Sequence, residues 1–165
     1  MIARVLASEI RKKKLQEYLL RLSYQDQLTG IQNNTSYIRM LNQLLEHPVP
    51  VGVAFADLNG LKYLNDTYGH EYGDQALRHL AEVSMEYFAK DQLYRISGDE
   101  FVIICPKVQE EVFIRQAQLL KERLKQEEQG LAAFGYLWND GTTAADRLLH
   151  GAERLMYQEK QQHYR

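Results

Sequence analysis

Cysteine is nearly absent from this 165-residue sequence, which contains Cys105 as its single copy. One cysteine cannot form a disulfide within the chain, so a disulfide-built secreted scaffold is excluded and a reduced, cytoplasmic setting is expected. Cys105 lies in an apolar stretch, where we expect it to pack as a small hydrophobic side chain. Proline is also rare, and only Pro48 and Pro50 interrupt the first third of the chain, where they end a predicted helix.

The sequence also lacks an excess of one charge and any long apolar run. Twenty Lys and Arg residues against 22 Asp and Glu give a formal net charge of −2, which is no electrostatic basis for binding nucleic acid or an anionic membrane. The longest apolar run, around residues 49–56, is too short to span a bilayer, and early charges such as Arg4 and Glu9 argue against a signal peptide. We therefore expect no membrane contact by this chain, while a longer parent protein could be membrane-anchored.

The first 24 residues contain neither glycine nor proline and predict one long helix. Its apolar residues form a rough stripe that is too narrow to build a core: Ile2, Val5, Leu6, Ile10, Leu15, Leu19 and Leu22. Two interpretations remain open for this segment. The helix either folds back on its own domain or forms a coiled-coil stalk that joins two protomers.

Residues 25–165 predict a single domain, because helical and strand patterns alternate without a linker or a repeat. Helices are predicted over residues 36–46, 61–68, 71–88, 109–127 and 143–162. Strands are predicted over residues 51–57 and 131–138, and as a hairpin over residues 93–105. This order of helices and strands predicts an α+β fold, with helices covering a sheet.

The hairpin carries two adjacent carboxylates directly after its turn. Ser97 and Gly98 form the predicted turn, and Gly98 can take the positive φ that such a turn demands. Alternation in the second strand predicts Phe101, Ile103 and Cys105 on one face and Glu100, Val102 and Ile104 on the other. Asp99 and Glu100 would then lie at the mouth of a buried strand. They are either ligands of a divalent cation or the acids of an ordinary turn.

A second group of polar residues follows the buried strand at 51–57. Asp57 ends this strand, and residues 59–62 (Asn-Gly-Leu-Lys) open a helix whose free N–H groups could hold phosphate oxygens. Asn65 and Asp74 flank the next turn, and their amide and carboxylate suit the hydrogen-bonding edge of guanine. The alternative interpretation is an ordinary strand-to-helix turn followed by two residues that favour helix ends.

Taken together, these segments resemble the GGDEF domain of diguanylate cyclases over roughly residues 24–165. The motifs stand in the family's order and spacing: Asp57–Lys62, Asn65-Asp66, Gly69-His70, Gly73-Asp74 and Ser97–Phe101, with residues 26–33 similar to its opening signature and residues 156–160 to its closing one. The resemblance implies a nucleotide-cyclase palm-like domain with a central mixed sheet of about five strands. It also implies that residues 1–24 are a signalling helix connected to an upstream sensor.

The resemblance further implies that two GTP molecules are condensed into cyclic di-GMP with release of two pyrophosphates. Each domain would hold one GTP, so turnover requires a homodimer. The implied ligands of Mg²⁺ (or Mn²⁺) are Asp57, the Leu58 carbonyl, Asp99 and Glu100, with Asp99 and Glu100 also catalytic. The implied substrate contacts are Asn65 and Asp74 to guanine, Gly60, Leu61, Lys62 and Lys160 around the phosphates, and Ser97 and Gly98 in the adjacent turn.

Three departures from the family pattern bear on function. Ser97 replaces the first glycine of the signature, and we expect activity to survive because Gly98 is kept. Phe88 stands where many members have the Arg of an inhibitory product site, so we expect no such site although Asp91 is present. Tyr164 stands where a phosphate-contacting Arg is common, with Arg165 next to it. The alternative functions are a catalytically silent module that binds GTP and regulates or docks a partner, and a palm-type cyclase with another product.

Overall fold

The computed structural model describes residues 1–127 and 130–163. It contains six α-helices in this described part: α1 Ile2–Tyr24, α2 Asn34–Glu46, α3 Leu61–Tyr68, α4 His70–Met85, α5 Glu110–Gln126 and α6 Ala145–His163. The strands are β1 Val51–Leu58, β2 Leu93–Arg95, β3 Glu100–Pro106 and β4 Ala132–Asn139. The predicted elements are confirmed with small shifts at their ends. Tyr164 and Arg165 lie outside the described residues.

The strands form one antiparallel sheet in the order β2-β3-β1-β4, with β1 paired to both β3 and β4. The α+β fold is therefore confirmed, but the described part of the chain has four strands rather than about five, and its ladders are not mixed. Gln32 makes the sole parallel contact described, a one-residue bridge to Tyr94. The bridge cannot extend because Asn33 already caps α2, and a helix cannot continue a strand ladder.

Helices cover both faces of the sheet, which explains why β1 is buried along its whole length. Ala54, Ala56 and Leu58 face the side covered by α4 and α5, while Val53 and Phe55 face the side covered by α2 and α6. The predicted alternation in β3 is confirmed by the same two clusters, because the odd-numbered residues from 101 to 105 lie with α4 and α5. A strand buried on both faces can carry a carboxylate only near its end, where partners or ligands reach it.

The N-terminal helix extends away from this core. No residue of α1, all of which the structure describes, is buried, and its apolar residues are exposed. The interpretation that this helix folds back on its own domain is therefore wrong. No helix in the described part of the chain is long and apolar enough to cross a bilayer.

The last turn of α1 is nevertheless firmly attached to the start of α2. The Asn33 side chain donates to the Ser23 carbonyl (2.9 Å), and the Ser36 hydroxyl donates to the Tyr24 carbonyl (2.7 Å). Asn33 also accepts a hydrogen bond from the Ser36 backbone N–H (3.1 Å), which caps α2. One short segment thus satisfies the end of one helix and the beginning of the next, and fixes the angle between them.

Helix α6 packs directly against β4, and Gly135 makes this close approach possible. A Cβ atom at Gly135 would lie 2.3 Å from the Met156 backbone nitrogen and 2.4 Å from the Ala152 carbonyl oxygen. Backbone atoms cannot move away individually, so the whole helix would have to shift. At Gly151, by contrast, a Cβ would meet only the flexible end of the Leu137 side chain, at 2.7 Å.

We therefore expect Gly135→Ala to lower the free energy of unfolding by at least about 2 kcal/mol, because overpacking at this site displaces a helix. Gly151→Ala is the matched control, with an expected change within about 1 kcal/mol, since alanine favours the helix and Leu137 can rotate. Urea denaturation followed by circular dichroism measures both variants. Equal destabilisation by the two substitutions would contradict the packing argument.

Candidate functional site

Three carboxylates converge at the end of β1 and the start of β3. The antiparallel register places Asp57 directly opposite Glu100, and the Leu58 N–H donates to the Asp99 carbonyl (3.0 Å). Residues opposite each other in an antiparallel pair project to the same face. As a result, side-chain oxygens of Asp57, Asp99 and Glu100 lie within 4.8 Å of one another. The structure thus brings together the three acidic residues that the sequence singled out.

The environment of Asp57 and Glu100 disfavours the charged forms of these two acids. Burial raises the pKa of Asp57, the neighbouring Asp99 raises it further, and the Lys160 ammonium acts in the opposite direction. Burial likewise raises the pKa of Glu100, with additional contributions from the negative charges of Asp57, Asp99 and Glu153, while a hydrogen bond from Ser97 lowers it. Closely spaced hard oxygen donors that repel one another fit a small divalent cation such as Mg²⁺ or Mn²⁺.

Lys160 reaches this cluster from α6. Its ammonium nitrogen lies 2.7 Å from Asp57 Oδ1, in a pair whose side chains are 25% and 8% exposed, respectively. The sequence predicted Lys160 as a phosphate contact, and the pairing with Asp57, 103 residues away along the chain, was not foreseen. No local pattern could have indicated it, because the contact depends on how α6 crosses the sheet.

The segment between β1 and α3 is half-buried and lies close to Asp57 in the chain. Asn59 anchors it by donating through its backbone N–H to the Leu131 carbonyl (3.0 Å) and through its side chain to the Gly130 carbonyl (3.2 Å). Gly60 adopts a left-handed conformation (φ 69°) at the N-cap of α3 and offers no capping side chain. Leu61 and Lys62 follow in the first turn, with Lys62 exposed. Uncapped N–H groups at a helix start are suited to phosphate oxygens.

Asn65 and Asp74 lie on the neighbouring helices α3 and α4. Asn65 Oδ1 is buried and has no hydrogen-bond partner among the described residues. Its amide packs against Gly73, where a Cβ would approach Oδ1 to 1.8 Å. Asp74 follows Gly73 and is partly exposed. A buried amide oxygen without a partner is costly, so its retention is consistent with a ligand-binding role.

The turn between β2 and β3 is held by Arg95, which the sequence did not single out. The Arg95 guanidinium donates to the Gly98 carbonyl from Nη2 (2.9 Å) and from Nε (3.2 Å), and it pairs with Asp26 at 3.2 Å. Asp26 is itself fixed by the backbone N–H (2.9 Å) and hydroxyl (2.7 Å) of Thr29. In the sequence, this ion pair was indicated only by the positions of its residues: Asp26 begins the motif at residues 26–33, and Arg95 precedes the motif at residues 97–101.

The expected positive φ of Gly98 is wrong, since the positive-φ glycines of the chain do not include it. Arg95 fixes the turn through the Gly98 carbonyl instead. A Cβ at Gly98 would meet no heavy atom within 4 Å, so the space above this residue is open. Ser97 precedes it and is exposed.

Phe88 belongs to the hydrophobic core. It is 4% exposed and its ring centroid lies 5.9 Å from that of Phe113. Asp91 is exposed on a short 3₁₀ turn, Lys90–Gln92. An Arg at position 88 would therefore need a different local packing, and the absence of the usual inhibitory product site stays a prediction.

Comparison with known proteins places these features in a family. The model of the family described as "Diguanylate cyclase, GGDEF domain" matches residues 23–165. Diguanylate cyclase DgcP of Escherichia coli is 30% identical over 97% of this chain and 53% of its own length. Cyclic di-GMP phosphodiesterase PdeR of the same organism is 31% identical over 69% of this chain and 18% of its own length. The chain thus spans about half or less of these two relatives.

Solved structures agree with the fold. The coiled coil and GGDEF domain of DgcB from Caulobacter crescentus, in complex with c-di-GMP, superimposes with a TM-score of 0.79 at 20% identity, covering 98% of this chain and 93% of that one. At this identity the likeness concerns the fold alone. The family match extends over most of the sequence and includes the acids, the loop and the turn described above, and the chain therefore belongs to the GGDEF family and is homologous to diguanylate cyclases.

Proposed function

We propose that this chain is an active diguanylate cyclase that condenses two GTP molecules into cyclic di-GMP and releases two pyrophosphates. The observation that carries the proposal is the convergence of Asp57, Asp99 and Glu100 at one end of the sheet. A domain that only bound nucleotide would gain nothing from three mutually repelling carboxylates, two of them with raised pKa values. Relatives named as diguanylate cyclases support the same reaction.

The residues that would hold Mg²⁺ (or Mn²⁺) are Asp57, Asp99 and Glu100 through their carboxylates and Leu58 through its carbonyl. When bound, the cation neutralises charge on the triphosphate and on the attacking oxygen. Because Asp57 and Glu100 lie on paired strands and the Asp99 carbonyl accepts the Leu58 N–H, the positions of the three residues are fixed before any ligand arrives. Such preorganisation lowers the cost of assembling the site at the moment of reaction.

The remaining residues bind and orient the substrate. Asn65 and Asp74 would bind the hydrogen-bonding edge of guanine. The backbone N–H groups around Gly60 and Leu61 would bind the phosphates. Lys62 and Lys160 would contribute positive charge to the same phosphates, while the open space above Gly98, beside Ser97, admits the nucleotide.

Glu100 would accept the proton of the attacking hydroxyl. Its raised pKa makes it a better base than an ordinary glutamate. In each of the two steps, the 3′-oxygen of one GTP forms a bond to the α-phosphorus of the other. The α–β phosphoanhydride bond breaks, pyrophosphate leaves, and the hydroxyl proton passes to Glu100.

A homodimer is required by this reaction, since each domain holds one GTP and both new bonds lie between the two nucleotides. The apolar residues of α1 are exposed in the protomer, which supports pairing of α1 with a second copy in a coiled coil. We propose residues 1–24 as the signalling helix between an upstream sensor and the GGDEF domain at 25–165, in a cytoplasmic position where GTP is available.

A catalytically silent module that binds GTP is the second candidate. Two observations make this candidate worth testing. One of the similar proteins is named as a phosphodiesterase and not as a cyclase, and Ser97 stands in place of the first glycine of the signature. Incubation of the dimeric chain with GTP and Mg²⁺, followed by chromatography and mass spectrometry, separates the two. Unchanged GTP recovered from protein that binds it would favour the silent module.

Asp99→Asn tests the acidic site. We expect turnover to fall at least about a hundredfold, because the substitution removes a charge that holds the cation while preserving side-chain size. Asp146→Asn, in the exposed first turn of α6, removes the same charge elsewhere and should leave turnover within about twofold. Product formation at the parent rate by Asp99→Asn would show that the metal assignment is wrong.

Asp74→Asn tests the guanine contact. A carboxylate accepts hydrogen bonds from both N1–H and the 2-amino group of guanine, so the KM for GTP should rise at least about tenfold. ITP lacks the 2-amino group and serves as the internal control, since its KM should rise less. The measurement is initial rate against concentration for both nucleotides. Identical losses with GTP and ITP would indicate that Asp74 does not contact the 2-amino group.

The double substitution Leu15→Gln/Leu22→Gln tests the coiled coil. Both side chains are exposed in the protomer, so the melting temperature of the domain should be unchanged while dimer formation weakens. We expect specific activity at micromolar protein to fall about tenfold and to recover as protein concentration rises. Leu119→Gln, an exposed leucine on α5, is the control. Concentration-independent activity in the parent and the variant would contradict dimer dependence.

A further inference from the structure

Lys160 contacts one of the three carboxylates that the proposed function assigns to the metal ion. The ammonium nitrogen lies 2.7 Å from Asp57 Oδ1, a direct charge-assisted hydrogen bond. Asp57 Oδ1 belongs to the carboxylate whose neighbours, Asp99 and Glu100, complete the acidic cluster. Lys160 has further interactions besides this one. Its ammonium thus places a positive charge directly on the acidic cluster.

Such a charge is required when no cation is bound. The Asp57 side chain is 8% exposed, and a carboxylate so poorly hydrated is costly unless a positive group or a proton compensates it. Two further carboxylates within 4.8 Å increase that cost. Lysine is suited to the task because its compact ammonium is carried on a flexible four-carbon stem.

The same ammonium opposes a metal ion. A divalent cation that bound the Asp57 carboxylate would face the positive charge of Lys160 on that group, and like charges at contact distance repel strongly. The Lys160 side chain remains 25% exposed, so it has a route out of the cluster. A nucleotide triphosphate offers the departing ammonium a new set of anionic oxygens.

We propose that Lys160 is a displaceable counter-ion, which pairs with Asp57 before the cation binds and moves to the triphosphate when it does. This inference rests on the proposed function, because it presumes that Asp57 is a metal ligand and that a triphosphate is bound. It adds a coupling between the two ligands. The metal alone binds weakly because it must break the ion pair, whereas nucleotide and metal favour each other's binding.

The test measures Mn²⁺ binding to the 165-residue chain without nucleotide, by electron paramagnetic resonance of the free ion. Lys160→Met removes the counter-ion, and we expect the Kd for Mn²⁺ to decrease about five- to tenfold. Lys121→Met is the matched control, since Lys121 makes a comparable 2.7 Å pair with Glu159 and its loss changes the net charge equally. We expect its Kd to stay within about twofold of the parent.

Thermal unfolding supplies a second measurement. Without metal, Lys160→Met should melt at a lower temperature than the parent, because Asp57 loses its partner. Saturating Mn²⁺ should then raise its melting temperature by more than it raises that of the parent. Lys160→Arg keeps the positive charge and should fold with the ion pair to Asp57 intact. We expect it to bind Mn²⁺ as weakly as the parent. This variant keeps the test decisive if Lys160→Met fails to fold.

Asp57→Asn distinguishes the two levels of the proposal. If this variant binds Mn²⁺ as tightly as the parent, or if the parent binds none even with GTP present, the metal site of the proposed function is wrong. If Asp57→Asn abolishes binding but Lys160→Met and Lys121→Met have the same Kd, the metal site stands and the counter-ion role is overturned. Parent-like binding by Lys160→Met or tight binding by Lys160→Arg would likewise overturn it.

Discussion

The antiparallel register between β1 and β3 is the constraint on which the rest of the site depends. It sets Asp57 opposite Glu100 and ties the Leu58 N–H to the Asp99 carbonyl. A slip of one residue would turn Asp57 toward the face covered by α4 and α5. That face holds apolar side chains such as Leu77 and Phe101, where a carboxylate would be unsatisfied. The apolar residues of both strands therefore help to fix the position of the acids, since a slip of one residue places a charge in the core.

The packing that brings the three carboxylates together also buries Asp57, so the charged form of Asp57 is unfavourable without a positive partner. The helix that supplies Lys160 packs directly on the sheet, because Gly135 lets the α6 backbone approach β4. Lys160 lies one turn beyond Met156, whose backbone nitrogen is at the point of contact. The depth of α6 on the sheet therefore determines whether the ammonium reaches Asp57, so core packing and site electrostatics are coupled through Gly135, which pairs with Phe55 two residues before Asp57.

Much of the fold and several site residues were accessible from the sequence because their signals are local. Runs that are apolar on both faces predicted β1 and β3, and the resemblance to the GGDEF domain implied that Asp57 and Asp99 belong together. Contacts between distant segments were not accessible. Arg95 pairs with Asp26 across 69 residues and Lys160 with Asp57 across 103, and neither periodicity nor turn chemistry specifies them. The incorrect expectation for Gly98 has the same origin, because Arg95 shapes that turn from outside it.

Arg95 also connects the turn to the N-terminal helix. Asp26 follows α1 by two residues, and the end of α1 is bound to the start of α2 through Asn33 and Ser36. A change in the direction of α1 would therefore strain either the α2 cap or the Asp26–Arg95 pair. The pair is the less extensive of the two attachments, and the Arg95 guanidinium holds the Gly98 carbonyl as well. The Arg95 side chain thus connects the segment after α1 to the turn next to Asp99, in addition to the backbone bridge between Gln32 and Tyr94.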